Sequence, residues 1–283
     1  PNEEGYITTQ LQANIDNSES NTVVINAGVG QGKTTAIIKI LKGFYDDTSE
    51  DYVIIVAAPY VSLVQQYFSE IAKAGISETN IYRYEYIGEA PNISYLDKKV
   101  HIITVNGILG NPGDNAFINS EAKRRYLNRL SRHCISRHKK VILIMDEIHD
   151  AIHNFKQEYI FNLWKWKSVL HKNIILSATY NEASKVVIEY LAELTANKIK
   201  IIESERVRIS KNQSDLFLHF NPAQYYNHKN EHIVEVVQDV ITRGKDVDIL
   251  SYSKNLAENI VNKKDEGIGS VLYSKYDAIK NIK

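Results

Sequence analysis

Two short stretches hold the residue types and spacings that could do chemistry. The first is Ala27-Gly28-Val29-Gly30-Gln31-Gly32-Lys33-Thr34-Thr35. Glycines let backbone N–H groups converge on an anion without Cβ clashes, and a helix opening behind them adds free donors and partial positive charge. A lysine placed directly after such a loop reaches β- and γ-phosphates, and the hydroxyl after it suits Mg²⁺. Lys33 and Thr34 stand in those two places. All nine residues are thus expected to line a nucleotide cradle, although Ala27 occupies a position where glycine is usual. The second stretch is Asp146-Glu147-Ile148-His149. Two adjacent carboxylates can divide the work, one holding a metal and the other orienting or deprotonating a water.

The flanking elements are those that would position such groups. The apolar, β-branched run Thr22–Asn26 reads as a strand leading into the glycine loop, and Ala36–Lys42 reads as the helix that follows. Tyr52–Ala58 is apolar throughout and Lys140–Met145 is apolar after its first residue, the pattern of strands buried on both faces of a parallel sheet. Pro59 opens a helix reaching about Ala74, a favourable place for proline. Further strands are expected at Asn80–Tyr84, Val100–Val105, Asn173–Leu176 and Lys198–Ile202. Helices are expected over 120–138, Glu158–Leu170 and Glu182–Thr195, with a turn at Asn111–Asn115. Carboxylates at the end of a parallel strand lie where open α/β sheets bind ligands.

Bulk properties bound the class. The chain has 283 residues, 43% of them hydrophobic and 24% charged, which suits one large or two ordinary α/β domains. Lys plus Arg equals Asp plus Glu at 34 each, so any polyanion site must be a local patch. The one cysteine, Cys134, excludes an internal disulfide and a multi-cysteine metal site and fits a reducing compartment. No apolar run is long enough for a membrane helix, and the first residues do not resemble a signal peptide; a cytoplasmic location is expected. Residues 203–214 read as a linker before a second α/β pattern, dividing the chain into domains 1–203 and 204–283.

Two further features are open to two readings. Gln10 or Gln12 could pair with an adenine, or be a solvated helix residue. Arg125, Arg129 and Arg132 share a helix face and could contact phosphates, or be an ordinary charged surface.

Taken together, the stretches resemble the superfamily two helicases and translocases of the DExH-box branch. Motif I is similar to Ala27–Thr34, including its leading alanine. Motif Ia is matched by Pro59, Leu63 and Gln66, motif II by Asp146–His149, and motif III by Ser177-Ala178-Thr179. Weaker likenesses fall at Ile249–Ser253 and Val271–Ser274. Motifs I, II and III in order, each after a strand, form a specific combination.

The resemblance implies a RecA-like P-loop NTPase fold: a mostly parallel sheet flanked by helices, with a partial second RecA-like domain. It implies ATP and Mg²⁺ as cofactors, with Lys33 on the triphosphate, Thr34 and Asp146 on the metal, and Glu147 on the attacking water. His149, Ser177 and Thr179 become coupling residues. Pro59, Gln66 and Thr104 become contacts to a DNA or RNA backbone, independent of base sequence. Motifs V and VI of the family, including its arginine finger, do not occur before Lys283, so the second domain is expected to be partial. The activity implied is ATP-driven movement on nucleic acid. The alternatives are a remodelling ATPase that does not unwind, or a nucleotide-binding module with little turnover.

Overall fold

The computed structural model describes residues 2, 5–7, 11, 15, 20–89, 93–110, 117–177, 182–196, 198–205 and 243. Gln10, Gln12, the Asn111–Asn115 turn, Ala178, Thr179 and the second α/β pattern lie outside them. Chain contacts divide the protein into two units, Pro1–Lys211 and Asn212–Lys283. All the described strands and helices belong to the first unit.

Seven strands form one sheet: β1 (Thr22–Asn26), β2 (Tyr52–Ala58), β3 (Ile81–Arg83), β4 (Val100–Thr104), β5 (Lys140–Met145), β6 (Leu170–Ser177) and β7 (Ile199–Glu203). Their order is β3-β4-β2-β5-β6-β1-β7, and every pairing is parallel. The helices among the described residues are α1 (Lys33–Asp46), α2 (Val61–Lys73), α3 (Tyr86–Glu89), α4 (Val105–Leu109), α5 (Phe117–Ser136), α6 (Ile148–Ala151), α7 (Gln157–Ile160) and α8 (Glu182–Glu193). This is the doubly covered parallel sheet of a RecA-like domain.

Strand alternation sends successive side chains to opposite faces, and here both faces are covered. On one face Val23, Ile25, Ile54, Val56, Ile142 and Ile144 meet Ile37 and Leu41 of α1 and Val64, Tyr67 and Ile71 of α2. On the other, Val24, Ile55, Ala57, Leu143 and Met145 meet α4, α5 and α8. A strand buried on both sides has no polar face, which is why Tyr52–Ala58 reads as one continuous apolar run. Because all strands run one way, their C-terminal ends share one edge. The residues after β1, β2, β4, β5 and β6 therefore come together there, however far apart they are in the chain.

One expected element is replaced. The helix over Glu158–Leu170 is instead the short α7, a 3₁₀ segment Phe161–Trp166, and the start of β6 at Leu170. Leu163 and Trp166, three apart, are its buried side chains, a spacing that a three-residue turn places on one face. Leu170 is drawn into the sheet by pairing with Val141, so β6 begins three residues before Asn173.

Candidate active site

The glycine loop leaves β1 at Ala27, whose N–H donates to the Ser177 carbonyl at 3.2 Å. Gly30 and Gly32 have φ of 81° and 80°, a left-handed backbone that side chains disfavour. Around Gly30 there is open space for a Cβ, so its constraint is conformational rather than steric. Gly32 then starts α1 with no side-chain cap, leaving the first-turn N–H groups of the helix toward the loop.

Gln31 holds this loop. Its side chain is buried; Oε1 accepts from the Gly28 N–H, and Nε2 donates to Ser204 Oγ at 3.2 Å and to the Glu205 carbonyl at 3.0 Å. The amide thus ties the loop to the chain leaving β7. Expected as a lining residue, Gln31 has its side chain committed to protein atoms.

Lys33 is also buried, with Nζ donating to the Ala27 carbonyl at 2.8 Å and the Gly28 carbonyl at 3.3 Å. Its ammonium lies 3.7 Å from Glu147 Oε1. The sheet register brings these groups together, because β5 ends beside β6 and β6 beside β1.

Asp146 follows β5, its N–H bonded to the Ala57 carbonyl at 3.0 Å. It is 5% exposed. Burial raises its pKa, the Glu147 charge adds to this, and bonds from Tyr67 and the Glu147 N–H with the Lys33 charge oppose it. The Tyr67 hydroxyl donates to Oδ2 at 2.9 Å and the Glu147 N–H donates to Oδ1 at 2.9 Å. Tyr67 itself is pushed well above the ordinary phenol range by burial and by Asp146, so it remains a donor. Its hydroxyl also interacts with that of Thr34. A single buried phenol therefore touches both residues expected at the metal.

Glu147 sits at φ 44° and ψ 50°, left-handed for a residue with a Cβ. Such a conformation costs about 1–3 kcal/mol and persists only where the surroundings enforce it. It brings Oε1 to Lys33 and Oε2 to 3.4 Å from His149 Nδ1, and Oε2 is buried without a hydrogen bond. His149 Nδ1 also lies 3.2 Å from Ser177 Oγ, and Nε2 lies 3.4 Å from Asp150 Oδ1. Asp150 in turn bonds the Tyr60 hydroxyl at the start of α2.

The oxygen donors fit Mg²⁺. No three acidic, histidine or cysteine side chains converge as a metal cage among the described residues. Mg²⁺ is usually held by one or two protein oxygens plus phosphates and water, and Thr34 and Asp146 are such a pair. The orphaned Glu147 Oε2 is an acceptor able to take a proton or a water.

Of the expected nucleic-acid contacts, Pro59 and Gln66 lie at the start and along the outside of α2, and Gln66 is exposed. Thr104 is buried: its hydroxyl accepts from the Gly107 N–H at 3.0 Å and caps α4. Thr104 thus marks the right edge of the sheet, but its Oγ is committed to the helix cap.

A model of the DEAD/DEAH box helicase matches residues 8–186, more than half of the chain. The chain belongs to the DEAD/DEAH box helicase family. Members of this family generally hydrolyse ATP with Mg²⁺ and bind nucleic acid. Among solved structures, this helicase-family chain is similar to the UvsW helicase from bacteriophage T4, with 12% identity, a TM-score of 0.42, and coverage of 65% of this chain and 54% of that one. It is also similar to the Hef helicase domain of Pyrococcus furiosus, with 16% identity, a TM-score of 0.45, and coverage of 90% and 52%. The chain spans about half the length of these two structures. None of the curated proteins matches it in sequence.

In this member of the family, three residues that the motifs do not name stand beside the acid pair: Tyr67, Tyr60 and Asp150. Tyr67 carried a signal. Val64, Tyr67 and Ile71 fall on one helical face, and a tyrosine on a buried face needs a partner for its hydroxyl. Nothing in the spacing says which acid that partner is.

Proposed function

We propose that this chain is the ATP-binding part of an ATP-driven nucleic-acid motor. One observation carries the reading: the ammonium of Lys33 lies 3.7 Å from Glu147, so the phosphate loop and the acid pair share one site. In this reading Lys33 and the loop amides hold the triphosphate as fixed positive charge. Thr34 and Asp146 would hold Mg²⁺, which would supply neutralisation of charge on the phosphate oxygens. Glu147 orients the attacking water and accepts its proton on Oε2.

Coupling follows from the side chains around the acids. His149 touches Glu147 and Ser177, so a shift at the water-activating acid is felt at the end of β6. Tyr67 and Tyr60 join α2 to Asp146 and Asp150. Gln66 lies next to Tyr67 on that helix and faces solvent, where a DNA or RNA backbone would be held without reference to base sequence. Strand contact at α2 and metal geometry at Asp146 thereby act on one another.

The test is ATP turnover by the whole chain with and without single-stranded DNA or RNA, beside Lys33→Ala. Stimulation that disappears in the variant supports the motor. Turnover indifferent to every polynucleotide counts against it, and strand-displacement assays separate unwinding from movement alone.

A further inference from the structure

The outer face of α5 is unusually cationic for a protein whose charges balance. Arg124, Arg125, Asn128, Arg129 and Arg132 are all exposed along it. Among the described residues, a shallow groove of about 510 Å³ is lined by these five and Glu121. The inner face of the same helix is fixed by Tyr126, Leu127, Leu130 and Cys134 in the core, so the arginines cannot rotate inward.

Elsewhere, four surface lysines have carboxylate partners: Lys42 with Asp46, Lys73 with Glu70, Lys139 with Asp51, and Lys140 with Glu50. On α5 one carboxylate, Glu121, pairs Arg125 at 2.7 Å. Arg129 and Arg132 form no ion pair among the described residues. A fifth cation adds to the row: Lys165 Nζ donates to Asn128 Oδ1 at 2.8 Å and to Asn162 Oδ1 at 3.3 Å. Burial and the Arg132 charge lower its pKa, a sign of local positive potential.

We infer that this face of α5 is a second nucleic-acid contact, holding the phosphate backbone of a strand beyond the edge at α2. The inference rests on the motor reading above. Three observations select a phosphate backbone. The cations are mostly arginine, whose planar fork matches phosphate in two bonds. Arg125 to Arg132 spans about 10 Å at 1.5 Å per residue. That distance covers roughly three phosphates at 3.4 Å of axis each along one strand. Finally, the face continues from the strand-end edge: Arg124 Cγ lies against Gly110, which closes α4, and α4 starts at the Thr104 cap.

The experiment is the salt dependence of binding by the whole chain to a fluorescein-labelled DNA duplex with a single-stranded tail, and to its RNA counterpart. Each lost phosphate contact reduces the slope of log K against log salt by about 0.7–0.9. The double substitution Arg129→Gln and Arg132→Gln should flatten the slope by about 1.4–1.8 and weaken binding roughly tenfold near 0.2 M salt. Glu121→Gln should act in the opposite direction, steepening the slope by freeing Arg125. Lys42→Gln, on α1 and paired with Asp46, should change neither. Wild-type binding with an unchanged slope in the first two variants would overturn the inference and leave the motor reading standing. Absence of wild-type binding to both probes would overturn both. Displacement of the probe by polyglutamate as readily as by unlabelled nucleic acid, at matched charge, would overturn the backbone assignment in favour of an acidic protein.

Discussion

Asp146→Asn is expected to abolish Mg²⁺-dependent ATP turnover and yet stabilise the free protein. The carboxylate is 5% exposed, and burial dominates the rise in its pKa. A carboxyl whose pKa is higher folded than unfolded binds protons more tightly when folded. Stability attributable to it therefore falls as pH rises from the unfolded value of 3.8 through the folded one, and the charged form is a cost at neutral pH. Asparagine keeps the shape and removes the charge. Its oxygen can accept from the Glu147 N–H, and its amide can donate to Tyr67, because a phenol accepts as well as donates. Both 2.9 Å contacts survive in kind. The gain should be about 0.5–2 kcal/mol, the usual size of a single stabilising substitution. At about 2–4 °C per kcal/mol for a chain of this size, that is a visible rise in melting temperature. Urea denaturation at several pH values gives the decisive readout. The advantage of the variant should be largest at neutral pH and shrink in acid, as wild-type Asp146 takes up its proton. Mg²⁺ and ATP together should stabilise the wild type by RT ln(1 + [L]/Kd), about 2.7 kcal/mol at a hundredfold excess over Kd, and the variant by less. A variant less stable than wild type at neutral pH, by an amount that pH does not change, would refute the desolvation argument.

Four further outcomes are expected. Tyr67→Phe removes the donor to a buried carboxylate, so it should cost about 1–3 kcal/mol in denaturation and raise the Mg²⁺ concentration needed for binding of a fluorescent ATP analogue; an unchanged Mg²⁺ requirement would separate Tyr67 from the metal residues. Glu147→Gln should retain ATP binding while kcat falls about 10²–10⁴-fold, as loss of a general base predicts, and comparable losses in binding would assign Glu147 a holding role instead. Gly30→Ala meets no steric obstacle but is forced to φ 81°, so it should weaken nucleotide binding measured by calorimetry with little loss of global stability. His101 is fully enclosed, and burial lowers its pKa to about 3; its Nε2 meets the Lys98 carbonyl at 3.1 Å and its Nδ1 the Tyr126 hydroxyl at 2.8 Å. Its stabilising contribution is complete above pH 6.5 and is lost as pH falls toward 3, at up to about 1.4 kcal/mol per unit, so His101→Gln should flatten acid unfolding in that window.

The sheet was legible because fully buried parallel strands leave an unmistakable trace. Tyr52–Ala58 and Val141–Met145 are continuous apolar runs, bounded by Asp51 and Pro59 in the first and by Lys140 and Asp146 in the second. The glycine loop was legible for a related reason: left-handed backbone at Gly30 and Gly32 restricts residue type. The segment 158–170 was not legible. Its apolar residues satisfy a helical period loosely, and what breaks the helix is pairing of Leu170 with Val141, a contact between distant parts of the chain. Local propensity cannot register such a contact. The roles of Gln31 and Thr104 were hidden similarly. Both stand at the site's edge, but the direction of an amide or a hydroxyl depends on which backbone groups lie beside it. For Gln31 these include Ser204 and Glu205, far along the chain.

The tyrosines show what motif reading omits and why it matters for mechanism. Motif residues name what can touch ATP or strand; they do not say how one contact alters the other. Helix α2 has Gln66 on its exposed side and Tyr67 on its buried side, and adjacent helical residues point about 100° apart. In the motor reading proposed above, a displacement of α2 by a bound strand would move the Tyr67 hydroxyl against Asp146, because Val64, Tyr67 and Ile71 are packed together in the core. The left-handed backbone of Glu147 lies one residue beyond Asp146, where the surrounding packing must enforce it. Cost is thus concentrated at two consecutive residues: Asp146 is a buried carboxylate and Glu147 combines a left-handed backbone with an orphaned oxygen, while the strand leading to them is buried from Val141 to Met145. In that same reading, small shifts of α2 would be taken up at Asp146 and Glu147 rather than in the packed sheet.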